Sequence, residues 1–225
     1  MKRGIIFFVM AVLLLGLGRM TWGQSTGHAA TAWEPIGLSG GGAMFTPAIS
    51  PADPRRMMVN CDMSAAYLST DGGLHWRMIH QSQLRSSTRC RPAFHPTDPN
   101  TLYAADGGTG LKISHDGGDH WQPLGNLPAD LRGEIAIDPE NPRFLLAGTG
   151  NGPFRSQDGG KTWTHCDGPQ GEPLAFHFDQ TSPASQRICF AATDKGLWRS
   201  NDAGTTWEKK MQGLPEGGLR AFAGG

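Results

Sequence analysis

Aspartate is the residue type in this sequence best placed to do chemistry, and it recurs in two settings. Asp62, Asp106 and Asp194 close short apolar stretches, "RMMVNCD", "TLYAAD" and "RICFAATD". A carboxylate in such a place can accept a proton. Two that face each other across a cleft can share the acid and base roles of glycosidic hydrolysis, and their separation sets the stereochemical outcome. Arg85, Arg89, Arg91 and Arg132 lie in neighbouring polar segments. With the three carboxylates they would make a mixed polar rim, suited to a sugar or another neutral polar polymer.

The second set is Asp71, Asp116, Asp158 and Asp202. Each is the third residue of an octapeptide written four times: "STDGGLHW", "SHDGGDHW", "SQDGGKTW" and "SNDAGTTW". Four equivalent catalytic sites around one molecule would be strange in an enzyme, so a structural role is expected. An Asp side chain can accept hydrogen bonds from turn N–H groups, glycine permits positive φ, and tryptophan buries a large face. The expected structural sets are Ser69, Asp71, Gly73 and Trp76; Ser114, Asp116, Gly118 and Trp121; Ser156, Asp158, Gly160 and Trp163; and Ser200, Asp202, Gly204 and Trp207. His75 and His120 replace the threonine of the later copies, and Ala203 replaces a glycine.

The octapeptide belongs to a larger unit. Its serines are spaced by 45, 42 and 44 residues, which marks a repeat architecture. Each unit carries a short apolar strand ending in a Pro or Asp turn ("PAISPADP", "PAFHPTDP", "IAIDPENP", "AFHFDQTSP"). A second strand, a third that runs into the octapeptide, and a fourth opened by its tryptophan follow. Four short strands separated by turn residues read as an antiparallel meander, and tandem meanders read as β-propeller blades. The fold class is therefore all-β, with four full blades and partial ones at the ends. "AWEPIG" (32–37) aligns with fourth strands and "GGLRAFAGG" (217–225) with a first strand. The expectation is the N-terminal part of a longer propeller; a closed four-bladed ring is the alternative.

The N-terminus carries "MKRG" and then an apolar run from Ile5 to Gly18. That is shorter than the ~20 residues of a membrane span and fits a secretory signal peptide. Residues 1–23 are expected to be that signal, 24–32 a linker and 33–225 the propeller, exported to a periplasmic or extracellular location. Lys plus Arg equals Asp plus Glu, 20 each, which argues against a nucleic-acid partner. No metal-binding spacing occurs among the four cysteines, and no cofactor is expected. Export permits disulfides. Strand direction puts Cys61 and Cys90 at the same height on adjacent blades, so a bond between them is feasible.

Strand direction also separates two faces. The octapeptides lie at one end of the blades. The loops after second strands and before first strands lie at the other, where polar groups can converge on a central mouth. Asp62, Asp106, Asp194 and the four arginines fall there.

The pattern Ser-x-Asp-x-Gly-x-Thr/His-Trp resembles the Asp-box (BNR) repeat of sialidases, sortilin-type ectodomains, xyloglucanase-like glycoside hydrolases and photosystem assembly propellers. The resemblance runs from Trp33 to the C-terminus. The first blade, "GLSGGGAMFTPAISPADPRRMMVNCDMSAAYLS", is similar to the opening of xyloglucanase-type hydrolases. "CDMSAAY" stands where that family has Thr-Asp-x-Gly-Gly-Ala-Tyr. The resemblance implies a general base at Asp62 and the family's tyrosine at Tyr67, with Ser64 and Ala65 replacing the paired glycines. The family's catalytic acid belongs to a second propeller, which this sequence lacks. A sialidase would need an Arg-Ile-Pro motif, and none occurs. Two functions follow as expectations. One is a glycan-active propeller, related to xyloglucanase-like hydrolases but catalytically incomplete in this chain. The other is a non-catalytic exported propeller that binds a protein or glycan, with Trp198 and Phe154 in an exposed patch.

Overall fold

The structure is a computed structural model that describes residues 42–107, 110–127, 130–214 and 219–222. The expected signal peptide, the linker and the "AWEPIG" strand lie outside them. So does all but Leu219–Phe222 of the C-terminal segment, and those four residues form no strand.

Four antiparallel sheets follow one another along the chain. The first blade is β1 (Met44–Ile49), β2 (Met57–Cys61), β3 (Ala66–Ser69) and β4 (Arg77–Met78). In the second blade Pro92, which has no N–H to donate, splits the innermost strand into β5 (Cys90–Arg91) and β6 (Ala93–Phe94). β7 (Leu102–Ala105), β8 (Leu111–Ser114) and β9 (Gln122–Pro123) complete it. The third is β10 (Leu131–Ile137), β11 (Leu145–Thr149), β12 (Gly152–Ser156) and β13 (Thr164–His165). The fourth is β14 (Pro173–Asp179), β15 (Ile188–Thr193), β16 (Gly196–Ser200) and β17 (Glu208–Lys209). β5 also pairs in parallel with β10, so the second and third blades share backbone hydrogen bonds at their inner edges.

Burial follows position in the blade. β7 and β11 are buried along their whole length, because sheets cover both of their faces. The outermost strands are two residues long and exposed, which leaves little unpaired edge. Three core clusters stack in series. Met58, Leu68, Phe94 and Leu102 join the first blade to the second; Tyr103, Ile113, Leu145 and Phe154 join the second to the third; Phe144, Leu146, Cys189 and Trp198 join the third to the fourth. Among the described residues no such cluster joins the fourth blade to the first, and Ile49 and Met78 of the first blade are 59% and 55% exposed. The four described blades thus follow one another as blades of a β-propeller. No described helix is long and apolar enough to cross a membrane.

Two expectations need correction. Phe154 and Trp198 are not surface residues, at 8% and 9% exposed, because both face the preceding blade. Cys61 and Cys90 form no disulfide. The Cys90 thiol points into the core between the second and third blades, whereas Cys61 Sγ lies 3.9 Å from Asp62 Oδ1 at the loop end. Equal height on adjacent blades does not aim the two sulfurs at each other.

Candidate functional site: the loop face opposite the Asp boxes

The box end shows what the octapeptide does. In each copy the serine Oγ donates to the aspartate Oδ1 at 2.8–2.9 Å and accepts the N–H of the glycine four residues on, also at 2.8–2.9 Å. The sixth residue after the serine donates its N–H to the same Oδ1 at 2.8–2.9 Å and its side chain to Oδ2 at 2.6–2.7 Å. His75 and His120 do this through Nδ1, as Thr162 and Thr206 do through Oγ1, so the histidines are turn donors. Each tryptophan Nε1 donates to the carbonyl of that glycine. The box also ties together two turns of the same blade: Gly72, Gly117, Gly159 and Ala203 donate N–H groups to Arg55, Asn100, Arg143 and Arg187, just ahead of the second strands.

These bonds all favour the ionised carboxylate. The His75 backbone N–H, then its side chain, holds Asp71 down to about 2. The Thr162 side chain, then its N–H, holds Asp158 at about 2 as well. Both oxygens of each aspartate are thus occupied by the turn itself, and neither is left to act on a ligand.

The opposite end is built from loops that differ from blade to blade. Three second strands are followed by an aspartate that accepts an N–H from the segment leading into its own blade's first strand. Asp62 Oδ1 accepts the Ala43 N–H at 2.9 Å, Asp106 Oδ1 the Arg85 N–H at 2.8 Å and Asp194 Oδ1 the Glu172 N–H at 2.7 Å. The backbone comes so close that Gly42, at φ +115°, would place a Cβ 2.4 Å from Asp62 Oδ1, so no side chain fits there.

From these caps a string of ion pairs runs round the face. Asp106 is held by Arg85 and by Lys112, each at 3.3 Å. Arg89 and Arg132 both reach Asp130, and Arg132 continues to Glu172, whose N–H meets Asp194. Deeper in, Glu134 joins three inner strands: Arg91 Nη1 donates to its Oε2 at 3.1 Å and the Phe176 N–H to its Oε1. Burial pushes Glu134 up, and the Phe176 N–H and Arg91 pull against it.

Asp62 stands apart from this string. It is exposed, and among the described residues it is in no ion pair and its Oδ2 accepts no hydrogen bond. It lines a recess of about 370 Å³ with Cys61, Ser64, Gln81, Arg85, Ser86 and Thr88, and no second carboxylate lines it among the described residues. Tyr67 reaches this recess only through Ser64, hydroxyl to hydroxyl at 3.0 Å. Of the residues expected at the mouth, the structure brings Asp62 beside Arg85, and links Arg89 and Arg132 to Asp194 through Asp130 and Glu172. Glu134 and Glu172 escaped the sequence reading because their partners lie about 40 residues away in other blades, and Asp130, though two residues from Arg132, gains its place in the string only through Arg89 of the second blade. The one local hint was a polar residue, Glu134, in the otherwise apolar end of "LRGEIAI".

Fold and loop face define an Asp-box β-propeller, and comparisons with known proteins agree. The BNR/Asp-box repeat model matches residues 154–165. An ancestral GH74 enzyme of known structure is similar with TM-score 0.63 and 23% identity over 81% of this chain and 26% of that one. The GH74 xyloglucanase from Xanthomonas campestris is similar with TM-score 0.63 and 22% identity, over 83% of this chain and 32% of that one. YCF48 from Cyanidioschyzon merolae is similar with TM-score 0.54 and 15% identity, over 79% of this chain and 59% of that one. The chain thus spans about a quarter to a third of the GH74 structures it matches. No curated protein matches its sequence. At these identities the likeness shows the fold, and function has to be argued from the site.

Proposed function

We propose that this chain is a glycan-binding Asp-box propeller. Its loop face holds a neutral polysaccharide of the β-glucan type, and Asp62 is the carboxylate placed to act as general base. The observation that carries this reading is the contrast on one face. Asp106, Asp130, Glu134, Asp167, Glu172 and Asp194 are all engaged by cations, while Asp62 is exposed with an open oxygen in a recess of hydroxyl, amide and guanidinium groups. A base needs an accessible lone pair, and an inverting hydrolase needs a second carboxyl group to protonate the leaving oxygen. Among the described residues no such group lines this recess, which supports binding without cleavage by this chain alone. The similarity to a GH74 xyloglucanase supports the ligand class. Export through the 1–23 signal places the protein where such polymers occur.

Affinity electrophoresis through gels containing xyloglucan tests the reading. Migration should be retarded, no reducing sugar should be released, and the exported product should begin at Gln24. Unchanged migration in xyloglucan and in mixed-linkage β-glucan would reject it. A protein ligand is the second reading, favoured by one similar structure, YCF48 bound to D1 peptide. Arg85, Arg89 and Arg91, with side chains 58%, 62% and 54% exposed on the same face, would then meet an acidic peptide.

A further inference from the structure

The third blade breaks the loop-face pattern. Gly150 stands where the other blades carry Asp62, Asp106 and Asp194, and its N–H bonds to the Asp130 carbonyl as the Asp62 and Asp194 N–H groups bond to Ala43 and Glu172. Arg132 takes up that place, its Nε 3.3 Å from where a Cβ on Gly150 would lie, and beside it a recess of about 590 Å³ opens between the turn joining β11 to β12 and the loop joining β13 to β14. In the fourth blade the matching space is tighter: a Cβ on Gly196 would lie 2.6 Å from Met211 Sδ, against 3.4 Å from His165 Nε2 for one on Gly152.

His165 stands at one wall of the recess, bonded at both ring nitrogens. Nδ1 lies 2.9 Å from Asp167 Oδ1, and Nε2 lies 3.0 Å from the Asn151 carbonyl oxygen. A carboxylate and a carbonyl can only accept, so both ring nitrogens must carry protons, and the ring that satisfies this geometry is the imidazolium. The Phe154 ring packs edge-on against it at 5.0 Å. Asp167 is the charged group bonded to it; across the recess Arg132 and Glu172 are bonded to each other. The charges of the lining, Arg132 and His165 against Asp167 and Glu172, cancel. Asn151, Gln170 and the backbone of Gly150, Gly168 and Gly171 supply further donors and acceptors. A charge-balanced lining of mixed polar and apolar character fits an uncharged ligand with hydroxyl groups on an apolar ring.

We propose that this recess is a second ligand site of the loop face, for a neutral polyhydroxylated ligand such as a glucan oligosaccharide, and that its wall is held in place only while His165 is charged. The ligand class rests on the glycan reading above; the gate rests on the His165 geometry alone. Losing one proton leaves Nε2 with a lone pair facing the Asn151 carbonyl, so the turn is released and the wall opens. The Asp167 carboxylate, then the Asn151 carbonyl, raises the His165 pKa above its ordinary value of 6.5. The clamp is therefore complete below that value and is lost as pH rises through the higher, folded one.

Titrating the isotope-labelled chain with cellotetraose, followed by NMR at about pH 5.5 and about pH 9, either side of the ordinary histidine value, tests this. The expected result is shifts at Asn151, Gln170 and Gly171 at the lower pH, with affinity at least ~10-fold weaker at the higher one. His165→Gln, on the exposed outermost strand β13, should abolish that pH dependence. Equal affinity at both pH values, or shifts confined to the Asp62 recess, would overturn the proposal and leave the glycan reading standing. No shift at either recess would reject the glycan reading, and the second site with it.

Discussion

The two ends of the blades are made from the same repeat and have opposite fates. At the box end four turns repeat one set of bonds to within 0.2 Å, and every aspartate there is consumed by its own turn. At the loop end three aspartates keep a shared capping bond, but their surroundings diverge. Asp62 is open, Asp106 is locked between two cations, Asp194 meets Glu172, and the third blade has no side chain at all at that place. Repetition marks where the fold needs the same thing each time. Divergence marks where one blade has been released to do something the others do not.

The largest effect expected from breaking this contrast lies at the box end, at Arg187. Its side chain is fully buried between the third and fourth blades, paired with the buried Asp138 at 2.8 Å and with Glu140. It also donates to the Asp179 and Ser182 carbonyls, so it holds two turns at once. Removing one partner of a buried pair strands the other charge and costs about 3–5 kcal/mol. Arg187→Met should lower stability by that order in urea unfolding, without altering the loop face. A loss below ~0.5 kcal/mol would mean that the blades are not joined through this group.

Next comes Asp158→Ala, which strips the turn of its acceptors. It should cost about 1.5–3 kcal/mol, the order of hydrogen bonds made to a charged acceptor. The smallest effect sharpens the rule for glycine. Ala203 holds φ +53° where the other boxes have glycine at +74° to +78°. A side chain in that left-handed region costs ~1–2 kcal/mol, so Ala203→Gly should gain about 1 kcal/mol in the same assay. Destabilisation would show instead that the Ala203 methyl group is needed in the core between the third and fourth blades.

The legible part of this fold was local. Ser, Asp, Gly and Trp of the box bond within eight residues of one another, so their spacing already contains the turn. Strand order and the assignment of loops to faces followed from counting reversals. What stayed hidden depends on neighbouring blades. Alternation along β12 and β16 gives two faces but not which one meets the preceding blade, so Phe154 and Trp198 were read as exposed. The pairing of β5 with β10, the Glu134 bridge and the ion pairs of Arg187 all join residues more than 40 positions apart. Even the near pair His165 and Asp167 carried no signal, because its meaning comes from the Asn151 carbonyl on another strand connection.

The most direct test of the division between the two ends measures thermal midpoint and xyloglucan affinity together, for Asp158→Ala and Asp62→Ala. The account predicts a midpoint several degrees lower for Asp158→Ala, at roughly 2–4 °C per kcal/mol for a chain of this size, with affinity unchanged. Asp62→Ala should bind at least ~10-fold more weakly while keeping its midpoint within about 2 °C. Asp158→Ala losing affinity at an unchanged midpoint would contradict it, because the boxes would then be sites and the loop face would lose its claim.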